Sequence, residues 1–303
     1  MSALRGRALV AYLIVCVVWG STYVAIRVGV MTMPPFLFAG VRFLVAGTLL
    51  GGVALGLGHR PPRGLRQWGT LAIVGTLLLA GGNALVVWAE QYTAAGVASV
   101  FVVTVALWMA FFDAVLPGGG TALDWRLLGG LGLGFAGSVL LVGVSPRALI
   151  HADLRGPLAL TGASMAWSLG SVYAKRHRTD AGPYVGAATE MLAGGAVALA
   201  LGSLGGEWHR WHPSPVGLAA LGYLVVFGSI VGYSAYGYAL HHASPTVVGT
   251  YAYANPVIAV CLGRALLAEP ITPRIVGAML LVISAVVWIH LRPPARGGES
   301  VPA

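Results

Sequence analysis

Twelve side chains in this sequence are of types that could meet a small solute away from water, and all twelve lie within apolar runs. Trp19, Tyr23, Trp108, Trp167, Tyr173, Tyr233, Tyr251 and Tyr253 offer ring area and stacking, while Asn83, Thr104 and Asn255 can hydrogen-bond a polar end without a fixed charge. Glu190 is the acid of the set. A pocket built this way suits a zwitterion or a mild cation better than a strong anion. Tyr236 has the same character, as does Trp88, which also suits an aromatic belt at a membrane surface.

Other chemistry finds little support. His209 with His212 and His241 with His242 would attract a metal argument, but the topology derived below puts the two pairs on opposite sides of a membrane. Gly132, Gly134 and Gly137 spell the GxGxxG of dinucleotide sites, yet no strand precedes them and their surroundings read as a spanning helix, so they suit helix packing. No nucleophile with a base and an orienting group stands out, and no metal-ligand spacing does either. We therefore expect no catalytic residue, no metal, no cofactor and no enzyme activity.

Two charges stand deep in apolar runs. An ionised side chain at the centre of a spanning helix costs roughly 2.5 to 3.5 kcal/mol on insertion scales, so Arg42 and Glu190 should face protein or water rather than lipid. Substrate binding, proton coupling and a structural ion pair all remain open for them. Arg27, Glu90, Asp113 and Arg264 lie nearer helix ends, where side chains reach the interface by snorkelling.

The elements that must position these residues follow from composition. Of the 303 residues, 57% are hydrophobic and 9% charged, with 44 glycines and a mean hydropathy of +0.83. Soluble domains carry about 25% charged residues, so there is too little charge here to coat a water-facing surface. The net charge of +9 is spread singly between apolar runs and forms no basic face for nucleic acid. Cys16 and Cys261 both lie in apolar segments and suggest packing, not a disulfide. Met1 to Arg7 and the apolar run after it imitate a signal peptide, but that run is about twice the usual length for such a core and reads as the first spanning helix.

A spanning helix needs about 20 mostly apolar residues. Ten stretches qualify: 8–29, 36–57, 67–89, 94–116, 125–144, 155–175, 183–206, 214–240, 245–267 and 273–291. The remaining 292–303 reads as a disordered tail. With the N-terminus in the cytoplasm, the inner face collects Arg5, Arg7, Arg60, Arg63, Arg66, Arg126, Lys175, Arg176, Arg178, Arg292 and Arg296, and the outer face only Arg147, Arg155, Arg210 and Arg274. That asymmetry predicts cytoplasmic termini.

The chain also repeats itself. "WGSTY" at Trp19 to Tyr23 has a partner in "GSVY" at Gly170 to Tyr173, with Gly20, Ser21 and Tyr23 all shifted by 150. "WAEQYTAAGVASV" at Trp88 lies over "YALHHASPTVVGT" at Tyr238 on the same shift. "RLLGG" at Arg126 lies over "RIVGA" at Arg274 with a shift of 148, which also brings Arg42 over Glu190. Two five-helix halves, 1–148 and 149–291, explain the pattern. Because five is odd, the second half enters from the opposite side, which makes an inverted-topology repeat. The doubled word then marks symmetry mates in helices 1 and 6, where Gly20 and Gly170 suit packing and the flanking rings suit packing or a cavity.

"VVWGSTYVAIRVG", "PPFLFAGVRFLVAG", "YLVVFGSIVGYSAY" and "SPTVVGTYAYANPVIAV", in this order over nearly the whole chain, resemble the EamA-type ten-helix exporters of the drug/metabolite transporter superfamily. The resemblance implies an all-α integral membrane protein of the bacterial inner membrane. It also implies alternating access and the outward movement of amino acids, aromatic ones included, or of related metabolites and drugs. The expected partners are a small-molecule substrate and membrane lipid, with no nucleic acid, and a monomer would suffice. Two departures stand out. Ala106 occupies a position where such proteins often carry proline, and "LPGGGT" replaces an acidic residue that the second half keeps as Glu269. The rival readings are an exporter of drugs or organic cations anchored by Glu190, and a membrane-embedded enzyme or scaffold that transports nothing. Asn255 and Pro256 are expected to break or kink helix 9 where it lines a cavity or hinge.

Overall fold

The computed structural model describes residues 4, 6–92, 101–117, 122–142, 154–258 and 272–291. Cys261, Arg264, Glu269, Arg147 and the tail 292–303 lie outside these residues, and so does the side chain of Tyr23. The described residues form helices joined by short loops, without strands.

The helices in chain order are α1 (Arg7–Val30), α2 (Pro35–Gly56), α3 (Gly64–Ala89), α4 (Phe101–Val115), α5 (Trp125–Val142), α6 (Arg155–Arg176), α7 (Pro183–Leu204), α8 (Pro215–His242), α9 (Pro245–Gly249, resuming over 251–258) and α10 (Pro273–Leu291). Among the described residues, α1, α2, α3, α7, α8 and α10 are each long and apolar enough to cross a membrane. α6 is 22 residues long but more polar, because it stands in the middle of the bundle and points Ser164, Ser168 and Ser171 inward, all buried. Proline at the first helical position of α2, α7, α8 and α9 fixes where these helices begin, since its missing N–H would have had no partner there. Ser214 and Ser244 cap α8 and α9, accepting from the N–H groups of Gly217 and Val247 at 3.0 and 3.3 Å.

Glycine decides which helices touch. A Cβ at Gly40 would fall 2.7 Å from the Leu199 N, and one at Gly47 would fall 2.9 Å from the Ala188 carbonyl oxygen, so α2 lies directly on α7. A Cβ at Gly130 would meet Ile289, and one at Gly137 would meet Leu281 and Val282, so α5 lies on α10. In membranes such close backbone approach is a main source of helix association. Both contacts join helices five apart in order, as two interlocked five-helix halves require.

The halves also share a local irregularity. α3 widens into a π-helical stretch over Thr76–Ala84 and α8 does so over Leu224–Val231. Such stretches concentrate at functional sites because they redirect side chains and loosen the carbonyl ladder. α4 and α9 are interrupted instead. Thr104 and Thr250 adopt φ −65°, ψ −11° and φ −64°, ψ −11°, and their hydroxyls donate back to the carbonyls of Phe101 (2.5 Å) and Val247 (2.7 Å). Ser164 and Ser168 of α6 then donate to the carbonyls of Phe101 and Val105, each at 3.0 Å, around the α4 interruption.

The break expected at Asn255 and Pro256 is therefore displaced. α9 is interrupted at Thr250, and the helix passes through Pro256 to Ile258, as far as the described residues extend. A threonine hydroxyl bonding three residues back competes with the ladder at its own position. Asn255 is buried; its amide, oriented by its hydrogen-bonding surroundings, donates to the carbonyls of Cys16 (3.2 Å) and Tyr251 (3.1 Å) and ties α9 to α1.

Candidate functional site

Trp19 is the hub of an aromatic cage. Its ring lies 5.4 Å from Trp167, 5.2 Å from Tyr236 and 5.0 Å from Tyr251, centroid to centroid, so that α1, α6, α8 and α9 each supply a wall. These spacings are in the range where aromatic pairs attract beyond their buried area. Trp19 Nε1 donates to the Gly228 carbonyl at 3.0 Å, an acceptor in the π-helical stretch of α8. Gly232 leaves room for the indole, since a Cβ there would fall 2.5 Å from Nε1.

Trp19, Trp167, Tyr233 and Tyr251 form one side of a central cavity of about 90 Å³. Asn83, from the π-helical stretch of α3, lines the same cavity, and so do Asn255, Arg42 and Glu90. Asn83 Oδ1 is buried and without a hydrogen-bond partner among the described residues. Arg42 is only 3% exposed; its Nε donates to Ser229 Oγ at 2.8 Å and its guanidinium sits 4.8 Å from the Phe43 ring centre. The two π-helical stretches thus face one cavity from opposite halves, one bringing an amide and the other bringing the acceptor that holds a cation.

A second cavity, of about 340 Å³, opens at one end of the bundle among the exposed side chains of His177, Arg178, His241 and His242. That volume is within the range of small-molecule sites. Its floor is Glu190, Tyr233 and Tyr236. Tyr233 lines both cavities, and its hydroxyl donates to Glu190 Oε2 at 2.8 Å. The Glu190 carbonyl packs against Gly75 of α3, which has no room for a side chain. Tyr233 is the residue common to the linings of the two cavities, and its partner Glu190 lies on the wider one.

Of the residues singled out in the sequence, Trp19, Asn83, Trp167, Tyr233, Tyr251 and Asn255 meet at the central cavity, with Glu190 just beyond it. Four others lie elsewhere. Tyr173 stacks on His177 at the end of α6, with centroids 4.0 Å apart. Thr104 marks the α4 interruption, and Trp108 packs with Phe111 and Phe112. Tyr253 is fully buried between α5 and α10, where it donates to the Leu131 carbonyl at 3.1 Å. Glu90, read from sequence as an interfacial acid, is half-buried on the central cavity. The cavity is therefore charged as well as aromatic, through Arg42 and Glu90. Arg42 and Glu190 form no ion pair with each other among the described residues.

The doubled word resolves into packing plus one polar tie in each copy. A Cβ at Gly20 would fall 2.9 Å from Ile258, and one at Gly170 would fall 2.9 Å from Leu77. Ser21 Oγ pairs with the Tyr223 hydroxyl at 2.6 Å, and Ser171 Oγ pairs with that of Tyr236 at 2.5 Å. Both serines are thereby fastened to α8, one near each end of its π-helical stretch. The other glycine motif also packs: a Cβ at Gly134 would meet the Tyr253 ring at 2.9 Å. The histidine pairs stand at opposite ends of α8, a helix of 28 residues and so about 42 Å long. Among the described residues no three metal-ligating side chains cluster.

Comparison with known proteins agrees with this architecture. A crystal structure 21% identical in sequence superposes with a TM-score of 0.75, covering 94% of this chain and 97% of its own, and supports the fold alone. Escherichia coli (strain K12) has a relative named uncharacterized inner membrane transporter YedA, 38% identical over 276 residues, or 91% of this chain and 88% of its own. Bacillus subtilis (strain 168) has another, named uncharacterized transporter YvbV, 24% identical over 98% of this chain and 95% of its own. The EamA-like transporter family matches the sequence twice, over residues 6–143 and 154–291. With apolar helices of spanning length, two interlocked halves and a cavity between them, this chain is a membrane transporter and belongs to the EamA-like transporter family.

Proposed function

We infer that the protein exports amino acids, aromatic ones among them, and related small metabolites across the bacterial inner membrane by alternating access, with both termini in the cytoplasm and no reaction catalysed. The observation that carries this reading is the Tyr233–Glu190 pair, which links an open cavity of about 340 Å³ to an aromatic-walled one of about 90 Å³. Alternating access requires such inequality, because one side must be wide while the other is closed. In the topology set by the basic residues, the wide side faces the cytoplasm. Its mouth carries Lys175 and Arg178, which repel an organic cation and admit a zwitterion. That electrostatic filter favours amino acids over the cationic drugs that Glu190 alone would suit.

Purified protein in proteoliposomes, supplied on its cytoplasmic side with a mixed amino-acid pool, tests this reading by mass spectrometry of what crosses. Aromatic amino acids are expected among the transported species. Movement of organic cations but of no amino acid would overturn it.

A further inference from the structure

The guanidinium of Arg42 is buried, lines a cavity and has no carboxylate paired with it among the described residues. Its Nε is engaged by Ser229, but among the described residues no acceptor meets either terminal nitrogen. Nη2 packs closely on Gly228, where a Cβ would fall 2.7 Å from it, so a glycine is needed there to admit the guanidinium beside the cavity. Burial of an unpaired cation costs several kcal/mol, and membrane proteins keep such groups only where they face protein, water or a ligand.

We propose that Arg42 is the carboxylate anchor of the central cavity, and that Glu90 on the same cavity receives the substrate's ammonium group. This deepens the amino-acid reading above and rests on it for the ammonium half. Ser229 holds Nε and leaves the two terminal nitrogens, the pair whose parallel N–H groups match a carboxylate bidentately, on a residue that lines the cavity. Asn83 Oδ1, an unpartnered buried acceptor on the same wall, adds a second site for the ammonium. Glu90 has no ion pair with Arg42 among the described residues, so the two charges stand apart on one cavity; Arg27 lies within electrostatic reach of Glu90 and is the cation that a substrate ammonium must displace in influence. Trp19, Trp167 and Tyr251 line the same cavity and offer ring area to an apolar side chain once the cavity, about 90 Å³ in this state, widens in the transport cycle.

The test is ligand-induced thermal stabilisation of the purified protein with three probes that share a phenyl ring: phenylalanine, 3-phenylpropionate and phenethylamine. The wild type should be stabilised by phenylalanine most, by 3-phenylpropionate next and by phenethylamine least. Arg42→Gln should weaken the two carboxylates by about tenfold or more, the loss of one charge-assisted bidentate contact, and leave phenethylamine unchanged. Arg42→Lys should retain part of the carboxylate preference. Equal stabilisation of the wild type by phenethylamine and 3-phenylpropionate, or by none of the three, overturns the anchor without recourse to any variant. A folded Arg42→Gln protein that keeps the wild-type order does so as well. Loss of amino-acid transport with the carboxylate preference intact would instead count against the exporter reading and leave the Arg42 assignment standing.

Discussion

The Tyr233 hydroxyl donates to Glu190 Oε2 at 2.8 Å, which joins a tyrosine that lines both cavities to an acid that lines the wider one. A carboxyl group placed there can change its hydrogen bonds only by changing its protonation or by moving. If transport is proton-coupled through this acid, Glu190→Gln will lose its response to an imposed pH gradient while retaining downhill flux, because the amide cannot release a proton. Efflux measured with and without the gradient checks this. An unchanged pH response accompanied by lower thermal stability would make the pair structural only.

Tyr233→Phe separates the two contributions further. Removal of the hydrogen bond costs about 0.5 to 3 kcal/mol, the range that spans a neutral and an ionised acceptor, and the carboxyl group left behind must find water from the open cavity. Flux should fall while the gradient dependence persists, since the acid itself remains. Initial efflux rates at two pH gradients would show whether the two variants differ in this way.

Ser171 and Tyr236 should behave as one unit. Their hydroxyls lie 2.5 Å apart and are buried, so Ser171→Ala and Tyr236→Phe should each cost about 1 kcal/mol of stability. The double variant should lose little more than either single one, because both changes remove the same contact. Full additivity in thermal or chemical unfolding would contradict the pairing.

The glycines predict a contrast that composition cannot. Gly20→Ala and Gly170→Ala each place a Cβ 2.9 Å from a neighbouring helix's side chain and should destabilise the protein or part the helices. Gly132→Ala meets nothing within 4 Å and should be neutral or stabilising by up to about 1 kcal/mol, the difference in helix propensity. Thermal stability of the three purified variants in one detergent decides between these outcomes.

Within the aromatic set, position should outweigh residue type. Trp19→Ala opens a cage in which three other rings approach within 5.4 Å and should reduce efflux severely. Trp108→Ala and Tyr173→Ala remove rings that border neither cavity and should affect efflux far less. Efflux normalised to folded protein in the membrane distinguishes the three, and a Tyr173→Ala loss equal to that of Trp19→Ala would restore the doubled tyrosine to the substrate path.

What the sequence by itself determined follows from rules that act along the chain. Apolar length needs no partner to be read, which is why the starts of α1, α2 and α7 lie within a residue of where hydropathy and proline put them. The repeat was legible for the same reason: the 150-residue shift of Gly20, Ser21 and Tyr23 is a property of order, and of the rings flanking the two copies Trp19 and Trp167 do meet at one cavity whereas Tyr173 does not. Only the tertiary structure decided which polar groups face each other. Glu90, at a helix end, resembles any interfacial acid until α3 is packed beside α2 and α6, and Arg42 has no sequence-local signal of its partner Ser229, 187 residues away on α8. Nor does local sequence place the interruption of α9 at Thr250 ahead of Pro256, since Thr250 is fixed both by its own back-bond and by the Tyr12 hydroxyl of α1 at 2.8 Å. Hydropathy is summed over neighbours in the chain, whereas a cavity is enclosed by neighbours in space, and a one-dimensional pattern carries the first kind of information without the second.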